Sequence, residues 1–290
     1  MRFVFRPRSG IVLSAKEAES LVMLHKRRKR GSAYAVVNIG LSRVEIEILE
    51  DIIILPAGYE ISLEELKLMT KDERGVYLIS RDGVFKLEIR TKEYYYKLAL
   101  FPQCKSPTVE ISGIHMHRVS GIDPWDDARI KISIVGVKKG HKVLDICTGL
   151  GYTAINARLR GAYYVMSIEK DENVLHLARA NPWSRRLSDP QIEIFLEDAT
   201  EFVKTLENNS FDIIIHDPPR LSSRTSRLYS TEFYKELYRI LRPHGKLFHY
   251  TGEPKKHRGI NVMRSIARRL HEVGFIVKPE RKALGVIAIK

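Results

Sequence analysis

Two hydrophobic rhythms divide the chain. From about Gly121 onward, short apolar runs alternate with stretches of helical spacing. KVLDIC (142–147), YYVMSIE (163–169), IEIFL (192–196), FDIII (211–215), KLFHYT (246–251), FIVKP (275–279) and ALGVIAI (283–289) read as strands. Helices fill the gaps between the first six, and DPWDDARIKISIVGV (123–137) reads as a helix leading into the first. Apolar strands separated by helices are the signature of a parallel sheet covered on both faces. Only Glu280 to Lys282 joins the last two strands, too few residues for a crossover, so the pair predicts an antiparallel hairpin. Residues 121–290 thus predict an α/β domain with a seven-stranded sheet and an antiparallel last strand.

The first 113 residues follow another pattern. Ser14 and Glu17 form a capping box, and the helix they open runs to the cluster Lys26, Arg27, Arg28, Lys29 and Arg30, with Gly31 as its stop. AYAVVNI (33–39), VEIEI and DIIIL (44–55) then read as strands, and Ser62 begins a short helix through Lys71. GVYLIS and VFKLEI flank Arg81-Asp82-Gly83, a hairpin signal, and EYYYKLAL is a further strand. Residues 1–113 are therefore expected to form a smaller, β-rich (α+β) domain that ends in the proline-containing segment FPQCKSPT (101–108).

Composition narrows the setting. The 290 residues are 44% hydrophobic, enough for a packed core, and no apolar run approaches the length of a membrane span. The start MRFVFRPRSG lacks the apolar stretch of a signal peptide, and the two cysteines, Cys104 and Cys147, lie far apart. A reduced, cytoplasmic protein is expected. Two glutamines against 29% charged residues is a thermophile-like bias. The net charge of +14 is concentrated in two places. Residues 1–40 carry nine Lys/Arg against two Asp/Glu, and residues 220–270 carry thirteen against three. Five cations at Lys26 to Arg30 exceed what a helix dipole uses, so that cluster reads as a phosphate-facing patch. Positive charge beside a candidate site argues for a polyanionic partner and against a polycationic one.

The candidate chemistry lies at the carboxyl ends of the strands, where open α/β sheets bind ligands. Asp145-Ile-Cys-Thr148-Gly149-Leu-Gly151-Tyr-Thr-Ala154 joins the first strand to a helix, and its glycines let the backbone approach a ligand. The same segment satisfies G-x-G-x-x-A, a dinucleotide fingerprint with many chance matches. Asp145 discriminates: a carboxylate sits badly beside a pyrophosphate but suits an ammonium and a sulfonium. Glu169 ends the second strand, placed for ribose hydroxyls. Asp198 follows the third, placed either for an adenine amino group or to cap the helix ATEFVKTL. At the fourth, the isoleucine run stops at Asp217-Pro218-Pro219. Neither proline can extend a ladder, so the motif presents a rigid carboxylate and a backbone carbonyl.

From Asp145 to Asp217 the chain resembles the Rossmann-fold (class I) S-adenosylmethionine-dependent methyltransferases, and the likeness extends over residues 121–290. The resemblance implies that Asp145, Thr148, Gly149 and Gly151 surround the methionine part of S-adenosylmethionine. It also implies that Glu169 holds the ribose and Asp198 with Ala199 the adenine. Asp126 or Asp127, on the helix before the first strand, is placed to close over the cofactor. Asp217-Pro218-Pro219-Arg220 stands where methyltransferases of exocyclic base amines carry D/N-P-P-aromatic. Accepting one N–H at Asp217 and another at the Pro218 carbonyl would turn the nitrogen lone pair toward the methyl donor. Arg220 departs from the motif; a guanidinium can stack on a base or bind a phosphate. Tyr229, Phe233 and Tyr250 are the alternative stacking residues.

No cysteine lies in the motif, which leaves a thiolate mechanism unsupported. His115 and His117 share a strand face without a third ligand, so no metal is expected. The whole chain resembles archaeal two-domain methyltransferases of ribosomal RNA, including those that act on cytidine N4. The expected activity is methyl transfer to an exocyclic base amine of RNA, cytidine N4 of rRNA favoured, once or twice. Guanine N2 or adenine N6 in tRNA or rRNA is an alternative target. A polyamine aminopropyltransferase and a catalytically inert RNA-binding factor are the rival readings from other classes.

Overall fold

The computed structural model describes residues 1–252 and 262–290. The chain forms two compact units, one of Met1–Phe5, Asp126–Glu172 and Leu187–Lys290, the other of Arg6–Trp125 and Asn173–Arg186.

The first unit is built on one sheet. Its strands are β1 (Arg2–Phe3), β2 (Lys142–Ile146), β3 (Tyr164–Glu169), β4 (Ile192–Leu196), β5 (Phe211–His216), β6 (Leu241–Tyr250), β7 (Ile276–Glu280) and β8 (Gly285–Ile289). Their order is β1-β4-β3-β2-β5-β6-β8-β7. Strands β2 to β6 run parallel, and β8 lies antiparallel between β6 and β7. The seven strands expected in residues 121–290 are all present, and among the described residues an eighth, from outside that range, joins the sheet. Arg2 and Phe3 pair antiparallel with Phe195 and Ile194 at the edge, and two residues are too few to leave an alternation in the sequence. Strand β6 also begins earlier than its apolar run, at Leu241, with a register shift against β5 that accommodates Arg242 to Gly245.

Burial explains the strand sequences. Ile213, Ile214 and Ile215 are all buried, since β5 is central and covered on both faces, which is why its pattern does not alternate. Helix α1 (Pro124–Val135) precedes β2, α2 (Tyr152–Leu159) follows it, and α4 (Ala199–Phe202) comes after β4, while α3 (Glu172–Ala180), after β3, belongs past its first residue to the second unit. Helix α5 (Thr231–Ile240) opens where the Ser230 side chain accepts from the Phe233 N–H, and it buries Phe233, Tyr234, Leu237 and Ile240. These spacings place one apolar face on the sheet beside α6 (Val262–Val273), around Leu144, Ile146, Ile214 and Leu247. Each fully buried Leu or Ile there contributes roughly 1.5–3 kcal/mol.

The second unit is β-rich. Its helix Ala15–Arg28 starts at the Ser14–Glu17 capping box, and a second box, Ser62–Glu65, starts helix Leu63–Met69. Gly31–Val37, Ser42–Ile48, Ile52–Leu55 and Tyr59–Ser62 form an antiparallel sheet, and two smaller sheets follow. The segment Asn173–Arg186 is tied in by Trp183, whose indole N–H donates to the Ile39 carbonyl at 3.1 Å and whose ring meets Trp125 edge-on.

Candidate functional site

The turn after β2 is shaped by backbone conformations that ordinary side chains resist. Cys147, Gly149 and Gly151 have φ of 65°, 56° and 78°. A Cβ on Gly151, the N-cap of α2, would collide with the Leu187 side chain, so this glycine also makes room for a neighbouring segment. The turn is locked to β3. Cys147 and Thr148 both donate their N–H to the Ile168 carbonyl, at 3.0 and 3.1 Å. Glu169 then gathers three backbone donors: Gly149 N–H on Oε2 at 2.9 Å, and Lys170 and Asp171 on Oε1 at 2.9 and 3.0 Å. Burial raises the Glu169 pKa, and these three N–H groups work against that rise.

Asp145 is buried one strand away. The Ser167 hydroxyl donates to its Oδ2 at 3.2 Å, while Oδ1 is buried without a hydrogen-bond partner. Burial pushes its pKa up to about 6, despite the nearby hydroxyls of Thr153, Ser167 and Thr148. A desolvated carboxylate with one oxygen unpartnered, beside a glycine turn, fits a ligand that brings a positive charge. Thr148 is buried at the same turn, with its hydroxyl on the Ile168 carbonyl at 3.3 Å. Asp198 is exposed and caps α4, its Oδ1 accepting from the Thr200 N–H at 2.8 Å and hydroxyl at 2.6 Å. Ala199 is the buried first residue of that helix.

Asp217 follows β5, and the sequence did not disclose what meets it. Lys131 of α1, whose side chain is only 5% exposed, places Nζ 2.6 Å from Asp217 Oδ2 and 2.9 Å from Asp127 Oδ2. The same ammonium lies 4.6 Å from the centre of the Tyr250 ring. Burial alone would lower the Lys131 pKa, but Asp217 and Asp127 hold it above the ordinary lysine range. The spacing of Asp127 and Lys131, four residues apart on a helix, was the available signal. Asp126 pairs instead with Arg129.

The second proline is held by its carbonyl. Tyr229 donates its hydroxyl to the Pro219 carbonyl at 2.7 Å, and Tyr229 and Phe233 are both buried in the core. Tyr250, at the end of β6, is half-buried. His216 and His249 lie beneath, 4.3 Å apart and wholly buried. Burial lowers both pKa values, to about 3 for His249, so both rings are neutral, and His249 Nε2 meets the Tyr234 hydroxyl at 2.9 Å.

Arg220 is exposed. Lys26 to Arg30 are exposed at the end of helix Ala15–Arg28 in the second unit; there Arg28 donates to the Ser32 carbonyl and Arg30 pairs with Glu50. Within residues 220–270, Arg227, Arg239, Arg242 and Arg269 make bonds inside the protein, while Lys255, Lys256 and Arg258 lie outside the described residues. The Cys147 thiol is pushed well up by burial, far from a thiolate nucleophile. His117 Nδ1 meets the Thr108 hydroxyl at 2.8 Å, and among the described residues no three His, Cys, Asp or Glu gather as metal ligands. No described helix is long and apolar enough to cross a membrane.

A family model described as the spermine/spermidine synthase domain matches residues 158–284, a little under half of the chain. The ribosomal RNA large subunit methyltransferase K/L of Shewanella oneidensis is 25% identical over 209 residues, 69% of this chain and 27% of that protein, so the chain spans about a quarter of it. Spermidine synthase from Thermotoga maritima superposes with a TM-score of 0.58 at 18% identity, over 90% of this chain and 79% of that one, a likeness of fold alone. The Methanocaldococcus jannaschii protein MJ1233, itself uncharacterized, is 48% identical over 237 residues, 81% of this chain and 80% of its own length. The chain belongs to the family of MJ1233 and carries the class I methyltransferase-like fold of the methyltransferase and aminopropyltransferase superfamily.

Proposed function

We propose that the protein is an S-adenosylmethionine-dependent methyltransferase of an exocyclic base amine in RNA, with cytidine N4 of ribosomal RNA as the favoured target. The observation that carries this reading is Asp217, met by Lys131 and followed by a Pro219 whose carbonyl Tyr229 holds, just past the end of the strand next to the one bearing Asp145. Asp145, Thr148, Gly149, Gly151 and Glu169 would hold S-adenosylmethionine, with Asp198 and Ala199 at its adenine. Bound there, it would supply a methyl carbon activated by its sulfonium.

The protein's own part is binding and aim. The orphaned oxygen of Asp145 receives positive charge, and the Glu169 carboxylate, already fixed by three N–H groups, offers remaining lone pairs to ribose hydroxyls. A base amine is a weak nucleophile because its lone pair is delocalised into the ring. Asp217 accepts one of its N–H groups and the Pro218 carbonyl the other, which directs the lone pair out of conjugation. The proton that nitrogen sheds on forming its new bond to carbon is held at Asp217 or passed to water. Lys26 to Arg30 and the exposed Arg220 supply charge for phosphates.

Aminopropyl transfer to a polyamine is the second reading, favoured by the family match over residues 158–284. Nucleoside mass spectrometry separates the two. Ribosomal RNA transcripts incubated with the protein and S-adenosylmethionine should acquire N4-methylated cytidine, and Asp217→Ala should abolish this while retaining S-adenosylmethionine binding. N2-methylguanosine or N6-methyladenosine would move the target. No methylated base, with aminopropylated polyamines formed from decarboxylated S-adenosylmethionine, would sink the methyltransferase reading.

A further inference from the structure

The Lys131 ion pair bears on which acceptors the site can take. Lys131 is nearly fully buried, and its ammonium touches two carboxylates and the face of one aromatic ring. Two of those three partners belong to the acceptor side. Asp217 carries the amine-holding carboxylate, and Tyr250 stands beside it, because His216 and His249 are register partners on β5 and β6. Nothing in methyl transfer to a base requires a buried lysine, and a buried ion pair is a poor source of stability in itself. Its placement calls for another explanation.

We propose that Lys131 is a positioning residue that sets the acceptor class of this site, admitting an uncharged planar amine and rejecting polyammonium ions. The proposal deepens the methyltransferase reading and rests on it. Lys131 engages Oδ2 of Asp217, which fixes the carboxylate plane and leaves Oδ1 to accept from the incoming amine. A neutral base amine needs only that hydrogen-bond acceptor. Lys131 and its two carboxylates keep one negative charge between them, but Asp217 Oδ2 is already taken at 2.6 Å, so a polyamine would bring a second ammonium close beside the buried one. Like charges gathered in a desolvated pocket are strongly disfavoured, which makes the lysine an element of rejection as much as of attraction. Lys131 also meets the face of the Tyr250 ring and helps fix its orientation.

The test is Lys131→Met, which keeps an unbranched side chain one atom shorter and removes its charge. Calorimetric titration with spermidine reads rejection, and methyl incorporation into ribosomal RNA transcripts reads positioning. Wild-type protein should not bind spermidine at millimolar concentration. Lys131→Met should bind it at least tenfold more tightly, and its kcat for RNA should fall on the order of 10- to 100-fold with KM little changed. Lys131→Arg should recover much of the rate. If Lys131→Met does not fold, judged by S-adenosylmethionine binding, Lys131→Met/Asp127→Asn removes one charge of each sign and should behave the same way. A folded variant that rejects spermidine as wild type does, or that keeps full kcat, overturns the proposal, as does a wild type that binds spermidine. Failure of the wild type to methylate RNA counts against the methyltransferase reading alone, since the spermidine titration still reads what Lys131 does.

Discussion

Replacing Asp145 with Asn should stabilise the protein and disable it together. The carboxylate is 1% exposed and its Oδ1 has no partner. Its pKa rises from the ordinary 3.8 to about 6 because burial penalises the charged form. The sign follows from proton counting. Between those two values the folded state binds more protons than the unfolded one, so stability falls as pH rises, and the loss is complete above about 6. At about 1.4 kcal/mol per pH unit the loss reaches about 3 kcal/mol at pH 8. Asn has the shape of the protonated acid, can still accept from Ser167, and carries none of this penalty. Asp145→Asn should therefore melt roughly 6–12 °C above wild type at pH 8. Its advantage should shrink to about 1 kcal/mol at pH 4.5, where wild-type Asp145 is already neutral in the fold, and vanish below pH 3. Calorimetric melts at three pH values make the measurement, and titration with S-adenosylmethionine, expected to weaken at least tenfold, completes it. A variant no more stable than wild type at pH 8, or one with the same advantage at every pH, would refute the reasoning that this carboxylate, with one oxygen unpartnered, is ionised without a balancing charge until a cationic ligand arrives.

Two further outcomes follow from other contacts. Tyr229→Phe removes the hydroxyl that meets the Pro219 carbonyl while keeping the ring in the core, so stability should fall by about 1 kcal/mol and kcat should fall with the loosened prolines; melting and turnover unchanged from wild type would show that the bond does not fix them. Neutralising Lys26 to Arg30 should weaken RNA binding and reduce the slope of log affinity against log salt, measured by filter binding from low to moderate salt; an unchanged slope would remove this patch from the RNA interface.

The framework of the sheet was legible because its strands are buried on both faces. Ile213 to Ile215 announce a central strand, and the few residues between β7 and β8 leave no route but a hairpin. What escaped was either too short or too distant. Arg2–Phe3 has no period to detect. Lys131 meets Asp217 across 86 residues of sequence, and nothing local marks Asp217 as its partner. The spacing of Asp127 and Lys131 gave a helical ion pair and no more. Asp198 illustrates an ambiguity that sequence cannot remove: a short acidic side chain before a helix is suited both to capping and to ligand binding, and here its Oδ1 does the first. For Tyr229 and Phe233 a signal existed in the amphipathic spacing of Phe233, Tyr234, Leu237 and Ile240, a pattern that by itself turns Phe233 toward the core.

Two aspartates on adjacent strands show why the fold alone does not set the reaction. Asp145 and Ile215 are register partners on β2 and β5, so Asp217 stands two residues further along the neighbouring strand, about 7 Å on. One carboxylate is buried with an oxygen unpartnered; the other is met by a buried lysine. The first has negative charge to offer a cation, and the second offers chiefly an oriented hydrogen-bond acceptor. On the proposed reading, a site built from both would separate a charged donor from an uncharged acceptor, the division of labour that methyl transfer to a base amine needs and that transfer to a polyamine does not. Removing the lysine alone would leave both carboxylates facing cations. On this argument a single buried side chain on α1, outside every motif of the cofactor turn, decides between two chemistries that share one sheet.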